Sequence, residues 1–373
     1  MNSIQYHEVQ PQNQQDSYNQ FNTISFEILS DGRKLNPNSI RLDYDLEVFK
    51  TGATRAGATD DVFVNKNISG HAFFESFQTT IQSQGLIENL QEYPRWANIH
   101  ATATHNINDF MTCGFQAEGR QLLNEAAAAQ LQRQSCHASD AAAHYINPSF
   151  TIKPLIGFNR MMGDGYSFSK NGFIRIDINI ARNLTALYGS DYAADGSFAL
   201  KNVRIRYTTR PDEGSQGKIL MNSYVQVKAT STSQNYNVDS RVPSKAVNGV
   251  VISFLETSHE SSSRDDTYRL EKYPSLDEIN YRFNDASNRF VTYSVTDLGD
   301  QVKKGIQALS DGGVSMANRL NIAANESFIV GLPFQEYVDL STQKFSVNLK
   351  SSSVNLNTSP RNVYLFFLTL ISI

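Results

Sequence analysis

The sequence predicts an all-β protein built from antiparallel sheets, and three observations lead to this prediction. Polar and apolar residues alternate strictly in segments spread along the chain, whereas helical periodicity is rare and brief. An alternating segment is a strand with one buried face. One apolar and one charged face is typical of antiparallel sheets packed on a single side, as in sandwiches and barrels. The 22 Phe and 17 Tyr residues suit such cores, because aromatic side chains fit a pleated surface.

The first half of the chain contains the following predicted elements. Alternation predicts strands at 23–29 and 40–49, a flexible loop at 51–58 and a hairpin over 71–89 with a glycine turn. Helical spacing of Trp96, Ile99 and Ala103 predicts a helix over 93–110, and alanine-rich residues 120–143 predict a second helical or loop insertion. Further strands are predicted at 150–158, 173–180 and 198–208.

The second half follows a polar, turn-rich stretch at 211–217, which is the best linker candidate. Strands are predicted at 221–229, 249–255, 278–284, 290–295, 327–334 and 345–350. Residues 297–309 have the spacing of an amphipathic helix, which we expect to pack against this half. Residues 363–373 form the longest apolar run, about half the length that a helix needs to cross a bilayer. This run predicts a central strand covered on both faces.

A chain of 373 residues is long enough for two domains with separate cores. The last three strands of each half correspond in order, a weak internal repetition that favours two copies of one sandwich. The predicted division is a polar N-terminal arm at 1–20, a first sandwich at 21–210, a linker at 211–217 and a second sandwich at 218–373.

Composition limits the classes of function. The net charge is -4 and charged residues make up 19% of the chain, less than the roughly 25% of an average domain. Because no basic stripe is present, we expect no sequence-specific nucleic-acid binding. Cys113 and Cys136 exclude a disulfide scaffold but leave one bridge possible. The N-terminus lacks the basic start and apolar core of a signal peptide.

No arrangement of residues predicts a catalytic, cofactor or metal site. The nearest candidates for metal ligands are His100, His105, Cys113, Cys136, His137 and His144. Zinc sites need closely spaced ligand pairs, and these spacings do not supply them, so we expect polar loop and helix residues instead.

Acidic pairs and glycine clusters give the same answer. Asp60-Asp61, Asp265-Asp266 and Asp285 lack the spaced pattern of a calcium loop, so we expect solvated loop carboxylates. The glycine cluster at 161–165 opens no helix and is expected to be a turn. The motifs for a nucleophile elbow, a dinucleotide fold and a phosphate loop are absent from the sequence.

Several segments together resemble a known family. They are the hairpin at 70–88 followed by Glu92-Tyr-Pro-Arg-Trp96, the strand at 172–188 leading to 200–206, and 328–334 with the C-terminal strand. With two tandem sandwiches, a helical insertion in each and a polar arm, the chain resembles the double jelly-roll major capsid proteins of tailless icosahedral double-stranded DNA viruses and membrane-containing bacteriophages. The resemblance covers nearly the whole chain from about residue 21.

The resemblance implies two tandem eight-stranded antiparallel jelly-roll sandwiches with short helical insertions, and a structural protein without enzymatic activity or cofactor. It implies a homotrimer that forms a pseudo-hexagonal capsomer and tiles an icosahedral shell. The partners would be neighbouring capsomers, penton or minor capsid proteins and, through the arm at 1–20, an inner lipid membrane. The protein would be located in the virion, and in the host cytoplasm during assembly.

Two alternatives remain open at this point. A two-jelly-roll hydrolase or amidase acting on glycans would need paired carboxylates in a cleft between the sandwiches. The single tryptophan disfavours it, because sugar-binding sites are often rich in tryptophan. A viral receptor-binding spike protein would show an exposed aromatic platform and an N-terminus that attaches to a shaft.

Overall fold

The computed structural model describes residues 3–56, 60–65, 67–104, 118, 149–192, 194–214, 217–260, 262–314 and 328–373. Within these residues the chain forms twenty strands and four α-helices. The strands are β1 (Gln5–Val9), β2 (Thr23–Ile28), β3 (Arg33–Leu35), β4 (Arg41–Lys50), β5 (Thr54–Arg55), β6 (Phe74–Ile81), β7 (Gly85–Leu90), β8 (Ser149–Ile152), β9 (Met161–Met162), β10 (Tyr166–Ser167), β11 (Ile174–Ile180), β12 (Ser197–Pro211), β13 (Leu220–Ser231), β14 (Asn235–Ser240), β15 (Val247–Glu256), β16 (Leu276–Asn284), β17 (Phe290–Val295), β18 (Val330–Val338), β19 (Phe345–Ser351) and β20 (Arg361–Ser372). The helices are α1 (Tyr93–Thr104), α2 (Phe168–Asn171), α3 (Asn183–Ala186) and α4 (Leu298–Asp311).

The strands form four antiparallel sheets, two in each half of the chain. In the first half, β1, β12, β4 and β8 lie side by side, with β3, β5 and β10 added to this sheet, and β2, β11, β6 and β7 form the second sheet. In the second half, β13, β20, β15 and β18 lie side by side, with β9 added, and the fourth sheet has the order β14, β19, β16, β17.

Both halves have the same topology. Among the eight principal strands of each half, the first, eighth, third and sixth form one sheet, and the second, seventh, fourth and fifth form the other. Two four-stranded sheets connected in this way are a jelly roll. The fold prediction of two tandem eight-stranded jelly rolls with helical insertions is therefore confirmed. Helices α1 and α4 occupy the same connection, between the fifth and sixth strands of their respective halves.

The core of each jelly roll lies between its two sheets and is aromatic. In the first, the rings of Tyr44 and Phe74 meet edge to face with centroids 5.2 Å apart. In the second, Phe345 and Phe367 do the same at 5.1 Å. All four side chains are buried, as alternation in the sequence predicts for Tyr44 and Phe345. Strand β20 is buried on both faces, as its continuous apolar run predicts.

The N-terminal segment differs from the prediction. Residues Gln5–Val9 lie within the predicted arm, yet β1 pairs antiparallel with β12 over the register Gln5 to Thr209 through Val9 to Ile205. They therefore supply the first strand of the first jelly roll. The segment lacks clean alternation because β1 is an edge strand with most of its side chains exposed. The boundaries of the linker at 211–217 stay a prediction.

Helix α4 packs on the sheet of β15 and β18 through a small residue. A Cβ atom at Gly305 would lie 2.9 Å from the carbonyl carbon and 3.1 Å from the Cα of Val330. These are backbone atoms, so a side chain would push the helix away from the strand. Asp297 caps the N-terminus of the helix, because its side chain accepts a hydrogen bond from the Asp300 amide at 2.8 Å.

Substitution of Gly305 by alanine is expected to lower the free energy of unfolding by about 1–3 kcal/mol, because overpacking outweighs the better helix propensity of alanine. Urea unfolding followed by circular dichroism measures this loss. The control is Ser310→Ala, at an exposed position of the same helix. A gain of stability in Gly305→Ala would contradict the close packing.

Candidate functional site

The two jelly rolls meet where α1 of the first lies against β13 and β20 of the second. Trp96 is fully buried there, with its ring centroid 4.8 Å from that of Tyr224 and 5.6 Å from that of Phe366. Phe366 alternates with Phe367, which faces the core, so Phe366 points out of the second jelly roll towards α1. We call this contact between α1 and the strands β13 and β20 the seam.

Arg95, next to Trp96 in α1, fastens the first jelly roll to a loop of the second. Its guanidinium group donates hydrogen bonds to the carbonyl oxygens of Thr267 at 2.8 Å and Arg269 at 3.2 Å. It also lies 3.9 Å from the ring centroid of Tyr364. The side chain is 1% exposed. An arginine can stack on an aromatic ring and donate several hydrogen bonds at once, which suits this position.

Glu88, on β7 of the first jelly roll, also binds the second jelly roll. Its carboxylate accepts hydrogen bonds from the Gly157 amide at 2.9 Å and from the Ser223 hydroxyl at 2.5 Å. Burial raises the pKa of Glu88. Nearby, the guanidinium group of Arg160 donates to the carbonyl oxygen of Gly312 at 3.3 Å, and burial lowers its pKa to about 10. Glu88 and Arg160 of the first jelly roll are therefore hydrogen-bonded to Ser223 and Gly312 of the second.

Two amides and a carboxylate complete the contact. Asn98 of α1 donates to the carbonyl oxygen of Tyr268 at 2.7 Å, and Asn65 donates to Asp266 at 2.7 Å. Asp266 also accepts from the Tyr268 amide at 3.0 Å, and burial raises its pKa to about 6. The sequence predicts a solvated loop carboxylate at this position, whereas the structure places Asp266 in the contact between the jelly rolls.

A charged cleft of about 360 Å³ opens beside the seam. Its charged lining residues come from both jelly rolls: Glu75, Glu92, Arg95, Arg182, Lys228 and Glu260. Glu260 is fully engaged, because it forms an ion pair with Lys228 and accepts a hydrogen bond from Asn362 at 2.6 Å. Glu92 lies 3.8 Å from the Nε atom of Arg95. Three carboxyl groups and three cationic groups therefore line one cleft between the sandwiches. The hydrolase alternative needs a pair of carboxyl groups at this location.

The histidines and cysteines of the sequence analysis are mostly outside the described residues. This applies to His105, Cys113, Cys136, His137 and His144, and to the predicted insertion at 120–143. His100 lies on α1, where its ring is 6.5 Å from that of Trp96. In the described part of the chain, no group of three or more His, Cys, Asp and Glu side chains could hold a metal ion.

The remaining candidates lie apart from one another. Asp60 pairs with Lys50 at 2.8 Å, and Asp285 organises the turn between β16 and β17 by accepting from the Arg289 amide at 2.8 Å. The glycine cluster at 161–165 is a turn between β9 and β10, with Gly163 and Gly165 at φ values of 120° and 97°.

None of the described helices is both long and apolar enough to cross a membrane.

Comparison with solved structures identifies the architecture. PBCV-1 VP54, fitted into a cryo-EM reconstruction of the virophage Sputnik, aligns with a TM-score of 0.60 at 10% identity over 100% of this chain and 95% of its own. The Faustovirus major capsid protein aligns with a TM-score of 0.59 at 9% identity, over 100% and 90%. The mavirus major capsid protein gives 0.54 at 8% identity, over 99% and 90%. The chain has the double jelly-roll fold of these proteins.

The chain is similar to these proteins in fold, although the sequence identity is very low. No protein-family model and no curated protein matches its sequence. The alignments nonetheless run across both jelly rolls.

Sequence reasoning missed the residues that join the two halves of the double jelly roll. Arg95 and Trp96 were recognised only as part of a helix and of the family resemblance. The available signal is the single tryptophan beside an arginine on a segment with helical spacing. That signal does not say what the helix packs against, because the partner strands are more than a hundred residues away in the sequence.

Proposed function

We propose that the chain is the major capsid protein of an icosahedral virus and acts by assembly. One observation carries the proposal: a complete jelly roll occurs twice, with a helix at the same connection, and capsid proteins match this arrangement nearly end to end. Two similar modules in one chain can occupy alternate positions of a ring, so three chains would form a pseudo-hexagonal capsomer.

The surfaces support this proposal. The outer face of the β4 and β12 sheet carries paired charges, with Asp43 bound to Arg204 and Arg206 and Glu47 to Lys201. Neutralised charges limit repulsion between like subunits at high density. The outer face of the β16 and β19 sheet pairs Asn280 with Asn348. Such faces suit contact with neighbouring capsomers and with penton or minor capsid proteins.

We propose a structural rather than a catalytic role for the cleft. Arg95 and Lys228 lie among its carboxyl groups and are bound to other residues of the protein, so the cleft is part of the contact between the two jelly rolls.

Contact with an inner lipid membrane would involve residues before β1, such as the exposed Ile4, because Gln5–Val9 are held in a sheet. We propose location in the virion, with assembly in the host cytoplasm and without sequence-specific nucleic-acid binding.

The purified full-length chain is expected to sediment as a trimer, because each jelly roll would bury a face against its neighbour in the ring and stable interfaces bury more than about 1,000 Å². Analytical ultracentrifugation over a wide concentration range measures this. Electron microscopy of the same sample should show pseudo-hexagonal particles. A stable monomer at every concentration would count against the capsid proposal.

A further inference from the structure

Two irregularities of the backbone shape the acidic side of the cleft. In the pairing of β6 with β11, Ser76 lies opposite Asn179 and Phe74 opposite Ile180, so Glu75 is the extra residue of a β-bulge. A bulge redirects a side chain and is common next to functional positions. Glu92, at the start of α1, has a φ of +51°, which is unusual for a residue other than glycine. Both departures from regular structure occur at carboxyl groups that line one cleft.

The charged groups around Glu75 come from both jelly rolls. Glu92 opposes its ionisation, whereas Arg182, Arg95 and Lys228 favour it. Tyr268 lines the same cleft, and burial together with the charge of Glu75 raises the pKa of its hydroxyl.

The cations near Glu75 do little to compensate for the partial burial of its side chain. Arg95 is bound to two carbonyl oxygens and Lys228 to Glu260, and Arg182 is exposed to solvent. Among the described residues, none donates a hydrogen bond to the Glu75 carboxyl group. Burial is the largest influence and raises the pKa of Glu75 from 4.5 to about 7. The remaining nearby charges do not cancel this effect.

We propose that Glu75 is a proton-controlled latch between the two jelly rolls, which closes the contact when the carboxyl group is neutral and loosens it when the group is ionised. The direction follows from linkage: the protonated form is favoured in the closed state, so the closed state loses stability as the pH rises from 4.5 through about 7. The proposal concerns a single chain and holds whether or not the chain forms a capsid.

The location of Glu75 suits this role. It lies on the side of the cleft that belongs to the first jelly roll, while Tyr268, Lys228 and Glu260 belong to the second. An ionised Glu75 gains by admitting water, and water enters most readily when the two sides of the cleft move apart. The seam with Trp96 lies beside the cleft, so this movement also uncovers the tryptophan.

Trp96 is the single tryptophan of the chain, so its fluorescence reports on the seam alone. The experiment measures acrylamide quenching of the full-length protein between about pH 5 and about pH 9. Quenching should increase as the pH rises to about 7 and level off above it, and Glu75→Gln should remain weakly quenched at every pH. The matched control is Glu336→Gln, an exposed glutamate on β18 outside the cleft, which should keep the wild-type transition.

A second variant keeps the test decisive if Glu75→Gln does not fold. Glu92→Gln removes the carboxylate that opposes ionisation of Glu75, so the midpoint should move to lower pH. Quenching that does not depend on pH in the wild type would overturn the proposal. So would a wild-type transition that persists in Glu75→Gln, or a midpoint that Glu92→Gln leaves unchanged.

Discussion

Substitution of Arg95 by methionine is expected to lower the free energy of unfolding by about 3–5 kcal/mol. Methionine keeps much of the length and apolar volume of the side chain but removes the donors. The carbonyl oxygens of Thr267 and Arg269 would then be buried without their partner, and the ring of Tyr364 would lose the cation above it. These losses are costly because Arg95 is 1% exposed and its hydrogen bond to Thr267 is buried.

Chemical denaturation followed by circular dichroism and by Trp96 fluorescence measures the effect of Arg95→Met. The control is Arg175→Met on β11, where a half-exposed arginine pairs with Asp177 of its own strand at 2.9 Å. Exposed pairs of this kind contribute less than about 1 kcal/mol. Equal, small losses in the two variants would show that the Arg95 hydrogen bonds do not hold the jelly rolls together.

Truncation of Trp96 to alanine is expected to cost about 3–5 kcal/mol as well, because it empties a fully buried aromatic site. The cavity would lie between Tyr224 and Phe366, whose positions are fixed by β13 and β20. Strand β20 is held between β13 and β15, so Phe366 cannot move to fill it. Trp96→Phe keeps an aromatic ring there and should lose about half as much.

Circular dichroism follows unfolding in both Trp96 variants, since the fluorescent group is gone. Phe290→Ala is the control, because this aromatic side chain on β17 is 71% exposed and its loss should change stability by less than about 0.5 kcal/mol. If Trp96→Ala were as mild as Phe290→Ala, the seam would not be a packed interface. Arg95 and Trp96 are neighbours, so the stability lost in the double variant should differ from the sum of the losses in the two single variants.

The strands that the sequence predicts are those with one buried face and those, such as β20, with a continuous apolar run. Strands β6, β11, β16 and β19 alternate cleanly, and the prediction of 290–295 coincides with β17. The strands it missed are β1 and β14, together with four very short strands. Both β1 and β14 lie at sheet edges and bury few side chains, so burial does not impose the alternation that reveals a strand.

The functional prediction depended on a resemblance, and the structure accounts for why the resemblance was visible. The last three strands of each half are the sixth, seventh and eighth strands of a jelly roll, in the same order. The repetition that the sequence shows weakly is therefore exact in topology.

The seam and its cleft were beyond sequence reasoning. Glu75, Glu92 and Glu260 are scattered along the sequence and belong to no motif, and nothing in their neighbours predicts a shared cleft. The bulge that directs Glu75 depends on the register of β6 against β11, which is set by strands a hundred residues apart. The raised pKa of Glu75 follows from burial, which is a property of the assembled molecule.

The sequence by itself determined that this chain is an all-β protein of two similar sandwiches with a helix inserted in each, because alternation and composition act over a few neighbouring residues. The tertiary structure alone decided how the two jelly rolls are joined, and which buried charges hold them together. The physical reason is the distance along the chain over which each property is determined. Strand formation and the choice of buried face depend on neighbouring residues, whereas the partner of a buried arginine and the protonation of a buried carboxyl group depend on atoms that only folding brings near.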